Sequence, residues 1–169
     1  YKKHDIKVNS NDIIITNGGS EALTYVIATV ANADDEIIIP EPYYANYISF
    51  SEAFDAICVP ITSSFDDNFA LPPIEEFEKK ITPKTKAFLI CNPGNPTGYL
   101  YSKEEILQLA AIAKKYDIFL IFDEVYREFV YDGAQHFSIM QVPDIEQNAI
   151  MIDSVSKRFS MCGARIGWV

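Results

Sequence analysis

Cysteine is scarce in this 169-residue sequence, and the three cysteines present exclude a disulfide framework. Cys58, Cys91 and Cys162 are odd in number, widely separated and set among apolar or small residues. That spacing does not suit a metal centre either. We therefore expect buried free thiols in the reducing cytosol, and a cytoplasmic protein.

Basic residues are also few. The sequence has 14 lysines and arginines and 24 acidic residues, so the formal net charge is -10. Nucleic acids and anionic membranes both recruit basic surfaces, so neither is expected as a partner. No apolar run is long enough to cross a bilayer, and no signal peptide is visible. The two histidines, His4 and His136, lack a second ligand at useful spacing, so no metal site is expected.

Three common ligand-binding motifs are missing from the chain. It contains no GxSxG nucleophile elbow, no GxxxxGK phosphate loop and no GxGxxG dinucleotide fingerprint. Rossmann-type dinucleotide binding is therefore unsupported. Hydrophobic residues make up 49% of the sequence and charged residues 22%, which is typical of one globular domain with a sizeable core.

Short apolar runs alternate with helical patterns along the chain, and this alternation predicts the fold. Several of the runs are continuously apolar, as strands covered on both faces require. Strand and helix in turn predict a three-layer α/β domain with a doubly wound, mostly parallel sheet. The predicted strands are 13–16, 37–39, 56–61, 86–91, 118–122, 149–152 and 166–169, the last following without a helix between. The predicted helices are 20–31, 43–54, 72–80, 102–115 with Ser102 as its N-cap, and 137–140.

Polar residues fall at the carboxyl ends of these predicted strands, where ligands bind in an open parallel sheet. Gly18, Gly19 and Ser20 follow the first strand and open a helix, so their backbone amides could hold an anion. A plain strand-to-helix turn is the alternative. Asn95 lies in a loop, 92–98, that two prolines and two glycines make rigid. That loop either aims Asn95 at a ligand or is only a tight turn.

An acidic residue and several aromatic residues follow two other strands. Asp123 ends the fifth strand, where a buried carboxylate needs a cationic partner such as a protonated pyridine nitrogen. A salt bridge or a helix cap would serve equally. Tyr126 lies three residues on, within one helical turn. Of Tyr43, Tyr44 and Tyr47 after the second strand, one ring could stack on a flat cofactor, although packing explains each alone.

The segment SVSKRFSMCGARIGW, residues 154–168, contains a candidate nucleophile. Lys157 follows the sixth strand, and desolvation beside a second cation, Arg165, would favour the neutral amine that condenses with an aldehyde. Ser154, Ser156 and Arg165 supply donors that suit a phosphate. Pyridoxal 5'-phosphate (PLP), a phosphorylated aldehyde, fits both features. The alternative for a lone lysine is a solvated side chain.

Together these segments resemble the fold type I PLP enzymes, specifically the class I/II aminotransferases of the aspartate aminotransferase family. The segments occur in the family's order and cover nearly the whole chain, and the ordered set is far more specific than any one string. The matching strings are GGSEAL (18–23), PYYANY (42–47), NPGNPTG (92–98), DEVY (123–126) and SVSKRFSMCGARIGW (154–168).

The resemblance implies a role for each candidate residue. Lys157 would bond covalently to PLP and later carry the proton between the substrate's α-carbon and the cofactor. Asp123 would pair with the pyridinium nitrogen. Tyr126 and Asn95 would hydrogen-bond the ring oxygen, and Tyr44 would stack on the ring. The implied phosphate-binding residues are Gly19, Ser20, Ser154 and Arg165, with Ser156 as a helper.

The resemblance also implies an architecture and an assembly. The family's large domain has a seven-stranded sheet whose last strand is antiparallel, which suits 166–169. Residues 1–169 then correspond to a PLP-binding large domain without the family's N-terminal segment and small C-terminal domain. That small domain carries the arginine that binds the substrate carboxylate, so we expect this piece alone to have little or no transaminase activity. A homodimer of the full-length protein is implied.

The implied activity is transfer of an amino group from an amino acid, aspartate or an aromatic one, to a 2-oxo acid such as 2-oxoglutarate. The same motifs also serve C–S β-lyases and aminocyclopropane-carboxylate synthases, so these reactions remain alternatives. Another alternative is the non-catalytic, PLP-sensing domain of a transcription regulator, which would need an attached DNA-binding domain. The residues themselves do not separate these activities.

Overall fold

The apolar runs form the strands of one seven-stranded sheet in the computed structural model, which describes residue 1 and residues 6–169. His4, considered above as a metal ligand, lies outside the described residues. Strands β2 to β6 pair in parallel, and β7 is antiparallel to both β1 and β6. The spatial order is β1-β7-β6-β5-β4-β2-β3. The strands are β1 (Ile15–Thr16), β2 (Glu36–Glu41), β3 (Ile57–Thr62), β4 (Thr85–Cys91), β5 (Phe119–Asp123), β6 (Ala149–Ser154) and β7 (Gly167–Trp168).

Helices cover both faces of this sheet, and the predicted three-layer, doubly wound α/β architecture is confirmed. The helices are α1 (Gly18–Val30), α2 (Asn46–Glu52), α3 (Ile74–Lys80), α4 (Lys103–Tyr116) and α5 (Val155–Arg158), with 3-10 turns at Ser10–Asp12, Ile139–Gln141 and Cys162–Ala164. One core lies between the sheet and α1 and α2, and the other lies between the sheet and α3 and α4.

Strand β4 shows why the central strands are apolar at every position. Ala87 and Leu89 point into the core beneath α1, whereas Phe88 and Ile90 point into the core beneath α4. All four side chains are buried. Because successive side chains of a strand point to opposite faces, a strand covered on both sides has no polar face.

The start of α4 agrees with its sequence signature. Ser102 Oγ accepts a hydrogen bond from the N–H of Glu105 (3.2 Å), and the Glu105 carboxylate accepts one from the N–H of Ser102 (2.6 Å). This reciprocal capping box satisfies two backbone donors that a helix start leaves unpaired. The predicted apolar face of the helix, Ile106, Leu109, Ala110 and Ala113, is buried.

Some element boundaries differ from the predictions. The helix predicted at 43–54 begins only at Asn46, so the two preceding tyrosines lie in a loop. Strand β6 continues two residues past its apolar run, because Asp153 and Ser154 pair with β7. The prediction of no helix between the sixth and seventh strands is wrong, since α5 and a 3-10 turn connect them. The last predicted helix is a 3-10 turn.

The expectation of three buried thiols is wrong for one cysteine. All three are free, and Cys58 and Cys91 are partly buried, but Cys162 is exposed in its 3-10 turn. Small neighbouring residues do not by themselves bury a thiol, because burial depends on which element packs over the turn. Within the described residues, no helix is long and apolar enough to cross a membrane.

The parallel strands place several chain segments at one edge of the sheet. Cys91 at the end of β4 pairs with Asp123, and Asp123 pairs with Ile152 of β6. The loops that leave these strands therefore begin side by side, as does the first turn of α1. This edge contains the candidate site.

Replacing a large side chain at the centre of one core should destabilise the protein strongly. Phe88 is fully buried and contacts the Phe77 ring edge-on at 5.2 Å between centroids. We expect Phe88→Ala to lower the free energy of unfolding by roughly 3–5 kcal/mol in urea titrations, because the lost contacts leave a cavity. The control is Phe65→Ala, at a ring that is 78% exposed, and an equal loss in both variants would contradict the assignment of the core.

Candidate functional site

A cavity of about 250 Å³ opens at the carboxyl edge of the sheet. Its wall is built from the first turn of α1, the loop before α2, the loop after β4, the segment after β5 and the chain from β6 to β7. The structure brings ten of the candidate residues to this one cavity, whereas Gly18 and Tyr43 do not line it. These lining residues are Gly19, Ser20, Tyr44, Asn95, Asp123, Tyr126, Ser154, Ser156, Lys157 and Arg165.

The carboxylate of Asp123 is the buried charge of the site. Its Oδ2 accepts a hydrogen bond from the Tyr47 phenol (2.8 Å), and its Oδ1 accepts one from the N–H of Val125 (3.3 Å). Within the described residues, no lysine, arginine or histidine nitrogen lies within 4.0 Å of it. Burial raises the pKa of this carboxyl to about 6, although the Tyr47 hydrogen bond opposes the shift. The carboxylate therefore has no cation in direct contact, although the more distant charge of Lys157 also opposes the rise in its pKa.

Tyr47 is a site residue whose role the sequence did not reveal. The pattern places it only among three candidate stacking rings, whereas the structure buries it fully in α2 with its hydroxyl on Asp123. Its ring meets the Tyr44 ring edge-on, with centroids 5.5 Å apart. Burial, followed by the charge of Asp123, raises the pKa of the Tyr47 phenol well above its ordinary value. The phenol therefore stays protonated and donates to the carboxylate.

The amine of Lys157 lies at the mouth of the same cavity. Its Nζ is 5.8 Å from the centre of the Tyr126 ring, and the residue is exposed. Asn95 Nδ2 donates a hydrogen bond to the Tyr126 hydroxyl (3.4 Å). Burial raises the pKa of the Tyr126 phenol, while the nearby Lys157 charge opposes that shift. An amine, a phenol and an amide thus share one side of the opening.

The end of the cavity formed by Arg165 and the start of α1, called the anion pole below, suits an anion. The Arg165 guanidinium donates to the carbonyls of Cys162 (3.0 Å) and Asn17 (3.3 Å), which holds it over the start of α1. Gly18 has a φ of +76°, which favours glycine, and a Cβ there would lie 2.2 Å from an Arg165 nitrogen, so the guanidinium would have to move. The N–H groups at this helix start and the guanidinium together favour negative charge.

Two serines border that pole. Ser154 is buried at the end of β6, and its Oγ accepts a hydrogen bond from the N–H of Ser156 (3.2 Å). Because the oxygen acts as acceptor in that bond, its hydroxyl hydrogen can be donated to a bound group. The Ser156 side chain is also buried and lines the cavity.

These groups fit PLP at three separate points. The buried Asp123 carboxylate, which has no cation in direct contact, suits a protonated ring nitrogen. The start of α1 with Arg165 suits a phosphate, and the amine of Lys157 suits an aldehyde. The donor set does not resemble a metal centre, and the described part of the chain contains no group of three His, Cys, Asp or Glu side chains placed to hold an ion.

Residues 1–169 match the family model described as aminotransferase class I and II. The chain belongs to this family. The resemblance inferred from the motif strings is thereby confirmed.

Curated aminotransferases are similar over nearly the whole chain. An aspartate aminotransferase of Bacillus sp. (strain YM-2) is 35% identical over 99% of this chain and 43% of its own length. The aromatic-amino-acid aminotransferase 2 of Thermococcus litoralis is 32% identical over 100% of this chain and 44% of its own. The chain thus spans less than half the length of these relatives.

Solved structures support the same fold. The aromatic aminotransferase from Pyrococcus horikoshii OT3 superposes with a TM-score of 0.94 at 30% identity, covering 99% of this chain and 45% of that one. The aspartate aminotransferase from Thermus thermophilus, solved with maleate, gives a TM-score of 0.93 at 31% identity over 99% of this chain and 43% of its own. The sheet described above is therefore the fold of the family.

Burial of the Asp123 charge should make the cofactor-free protein less stable as pH rises. The folded-state pKa is about 6, above the ordinary value of 3.8, so the native state binds more protons than the unfolded state between those values. Stability from this group is therefore lost as pH rises through that window. We expect Asp123→Asn to remove the loss, so that the variant gains on the order of 2 kcal/mol relative to the parent between pH 4 and pH 7.

Urea titrations at several pH values between 4 and 7 measure this difference. The exposed Asp66, in the loop after β3, supplies the control substitution Asp66→Asn, which should follow the parent at every pH. A constant difference between Asp123→Asn and the parent across the whole range would show that the native Asp123 titrates normally.

Proposed function

We propose that this chain is the PLP-binding domain of an aminotransferase that moves an amino group from an amino acid to a 2-oxo acid. The observation that carries the proposal is the cavity itself. It combines an amine, a buried carboxylate without a cation, and an anion-binding helix start in a chain of the aminotransferase family. PLP presents one complementary group to each of these three features.

Each wall of the cavity would hold one part of the cofactor. Asp123 would accept a hydrogen bond from the protonated ring nitrogen, and Tyr47 would keep its carboxylate ionised and oriented. Tyr126 and Asn95 would hold the ring oxygen, since they are already hydrogen-bonded to each other. Tyr44 would stack on the ring. The phosphate would be held by Gly19, Ser20, Ser154, Ser156 and Arg165.

PLP, when bound, supplies an aldehyde that condenses with amines and a protonated ring that withdraws electrons from the substrate's α-carbon. Lys157 would hold the aldehyde and then, released by the incoming amino acid, act as general base at the α-carbon proton. Its long side chain at the cavity mouth suits both tasks, because the amine can move over a few ångströms without a change in the backbone. Asp123 would meanwhile keep the ring nitrogen protonated.

The relatives support the substrate class. They are an aspartate aminotransferase and an aromatic-amino-acid aminotransferase, so we propose aspartate or an aromatic amino acid as the donor and 2-oxoglutarate as an acceptor. Because the chain spans less than half of those relatives, we also propose that it is one domain of a longer protein. The isolated 169-residue chain should then bind the cofactor yet turn over slowly.

We further propose that the full-length protein is a homodimer. Three apolar side chains beside the lysine-bearing helix are exposed, namely Phe159 (59%), Met161 (50%) and Ile166 (43%). Exposed large apolar side chains that lie close together in the sequence are consistent with an interface. Light scattering of the full-length protein measures the assembly, and a monomer at working concentration would contradict this part of the proposal.

Lys157 should be the single point of covalent attachment. After incubation with PLP and reduction with borohydride, peptide mass spectrometry of the parent should find the phosphopyridoxyl group on Lys157. Lys157→Ala should lose it, whereas Lys84→Ala, at an exposed lysine after α3, should keep it on Lys157. Modification spread over many surface lysines, and unchanged in Lys157→Ala, would refute the assigned role.

Product analysis of the full-length protein tests the reaction class. With aspartate or an aromatic amino acid and 2-oxoglutarate, we expect glutamate and the donor's 2-oxo acid in equal amounts. Release of pyruvate and ammonia from a sulfur-containing amino acid would indicate a lyase instead. Firm cofactor binding without turnover of either kind would indicate a sensing domain.

A further inference from the structure

Behind the cavity lies a cluster of buried charges that the proposed chemistry does not use. Asp153, in the last part of β6, is buried, and its Oδ2 accepts hydrogen bonds from Arg158 Nη2 (2.5 Å) and the Tyr1 hydroxyl (3.3 Å). A nitrogen of Arg127 lies 3.9 Å from the same oxygen. The other oxygen of Asp153 accepts the N–H of Ser154 (2.7 Å). Both oxygens of this carboxylate thus accept hydrogen bonds.

Arg158 connects α5 to three other parts of the chain around that cluster. It belongs to α5, it binds Asp153 of β6, and its Nε lies 3.6 Å from the Glu128 carboxylate in the segment after β5. Its guanidinium also lies 6.0 Å from the centre of the Trp168 ring in β7. The side chain is 17% exposed, so these contacts are largely shielded from water.

Arg158 is the immediate neighbour of Lys157 on a helix of only four residues. So short a helix has no stability of its own, and its direction must come from tertiary contacts. Lys157, Phe159 and Ser160 are exposed and provide little packing. Since successive helical residues point about 100° apart at 3.6 residues per turn, fixing one side chain fixes the direction of the next.

We propose that Arg158 is a positioning residue for Lys157. By binding Asp153 it anchors the second half of α5 to the sheet, which keeps the lysine amine on the cavity side, over Tyr126. This inference rests on the proposed covalent role of Lys157. It assigns to the ion pair a task other than contact with the cofactor, because neither Asp153 nor Arg158 lines the cavity.

The ion pair also affects the charge beneath the site. Burial raises the pKa of Asp153, and Arg158 is the strongest influence that opposes this shift. The charge of Asp153 in turn contributes to raising the pKa of Asp123. Arg158 thus offsets a negative charge that would otherwise add to the cost of burying Asp123.

The test separates covalent capture from simple binding in the full-length protein. The two probes are PLP, trapped on Lys157 with borohydride over time, and pyridoxine 5'-phosphate, which has an alcohol in place of the aldehyde. For Arg158→Met we expect capture to slow by about tenfold or more, because small displacements of a reacting group cost orders of magnitude in rate. The dissociation constant for pyridoxine 5'-phosphate should change by less than about threefold, since its contacts remain.

Amide hydrogen exchange of the cofactor-free protein provides a second readout. The N–H groups of Phe159 and Ser160 bond to the carbonyls of Val155 and Lys157, so they report on whether α5 is formed. Their exchange should accelerate in Arg158→Met. Lys115→Met is the control, because Lys115 also pairs with a carboxylate, Glu78 at 2.8 Å, but on the far surface of α4. It should leave capture, binding and exchange unchanged.

The possible results distinguish the proposed function from the positioning role of Arg158. No adduct on Lys157 in the parent would overturn the proposed function itself. An adduct that forms at the parental rate in Arg158→Met would overturn only the positioning role, as would an equal loss of capture and pyridoxine 5'-phosphate binding. If Arg158→Met does not fold, Asp153→Asn keeps the shape while removing the charge. It must show the same split between capture and binding, and Arg158→Lys must restore capture in part.

Discussion

The site depends on burial of one carboxylate that has no cation of its own. Asp123 ends the central strand β5, and the sheet and the helices on both faces shield it from water. Two hydrogen bonds, from Tyr47 and from the N–H of Val125, offset only part of the cost, so its pKa remains near 6. A ligand that brings a proton and a positive charge would relieve the remaining cost. Burial of Asp123 therefore lowers the free energy of unfolding of the ligand-free protein, and binding of such a ligand would offset that loss.

A second buried carboxylate, that of Glu124, holds the segment that follows Asp123 in place. Glu124 is fully buried, and its Oε1 accepts from the Ser138 hydroxyl (2.8 Å) and from the N–H of Ile139 (3.0 Å). Burial raises the pKa of Glu124 to about 7, while Ser138 and Arg127 oppose the shift. These bonds tie the turn after β5 to the 3-10 turn before β6. Tyr126 is thereby held beside Lys157, although the two residues belong to different loops.

The turn that leads into the antiparallel strand β7 contributes Arg165 to the anion pole. Arg165 has a left-handed backbone conformation, with φ of 50°, two residues before β7, and its guanidinium lies over the start of α1. β7 then passes so close to α1 that a Cβ on Gly167 would lie 2.5 Å from the carbonyl carbon of Gly18. A larger residue at Gly167 would therefore push strand and helix apart, whereas one at Gly18 would displace the Arg165 guanidinium.

The amino-acid sequence by itself determined the layers of the fold and ten of the residues that line the cavity. Strands covered on both faces need apolar side chains at every position, so runs such as 86–91 identified the central strands and, through them, the edge where polar loops meet. Ten residues chosen from motif strings all line one cavity for that reason. Only the tertiary structure decided that Tyr47 binds Asp123 across 76 residues, that Arg158 binds Asp153 beneath α5, and that Cys162 is exposed. Local patterns record which face of an element is apolar, whereas these pairings depend on which elements the sheet order makes neighbours.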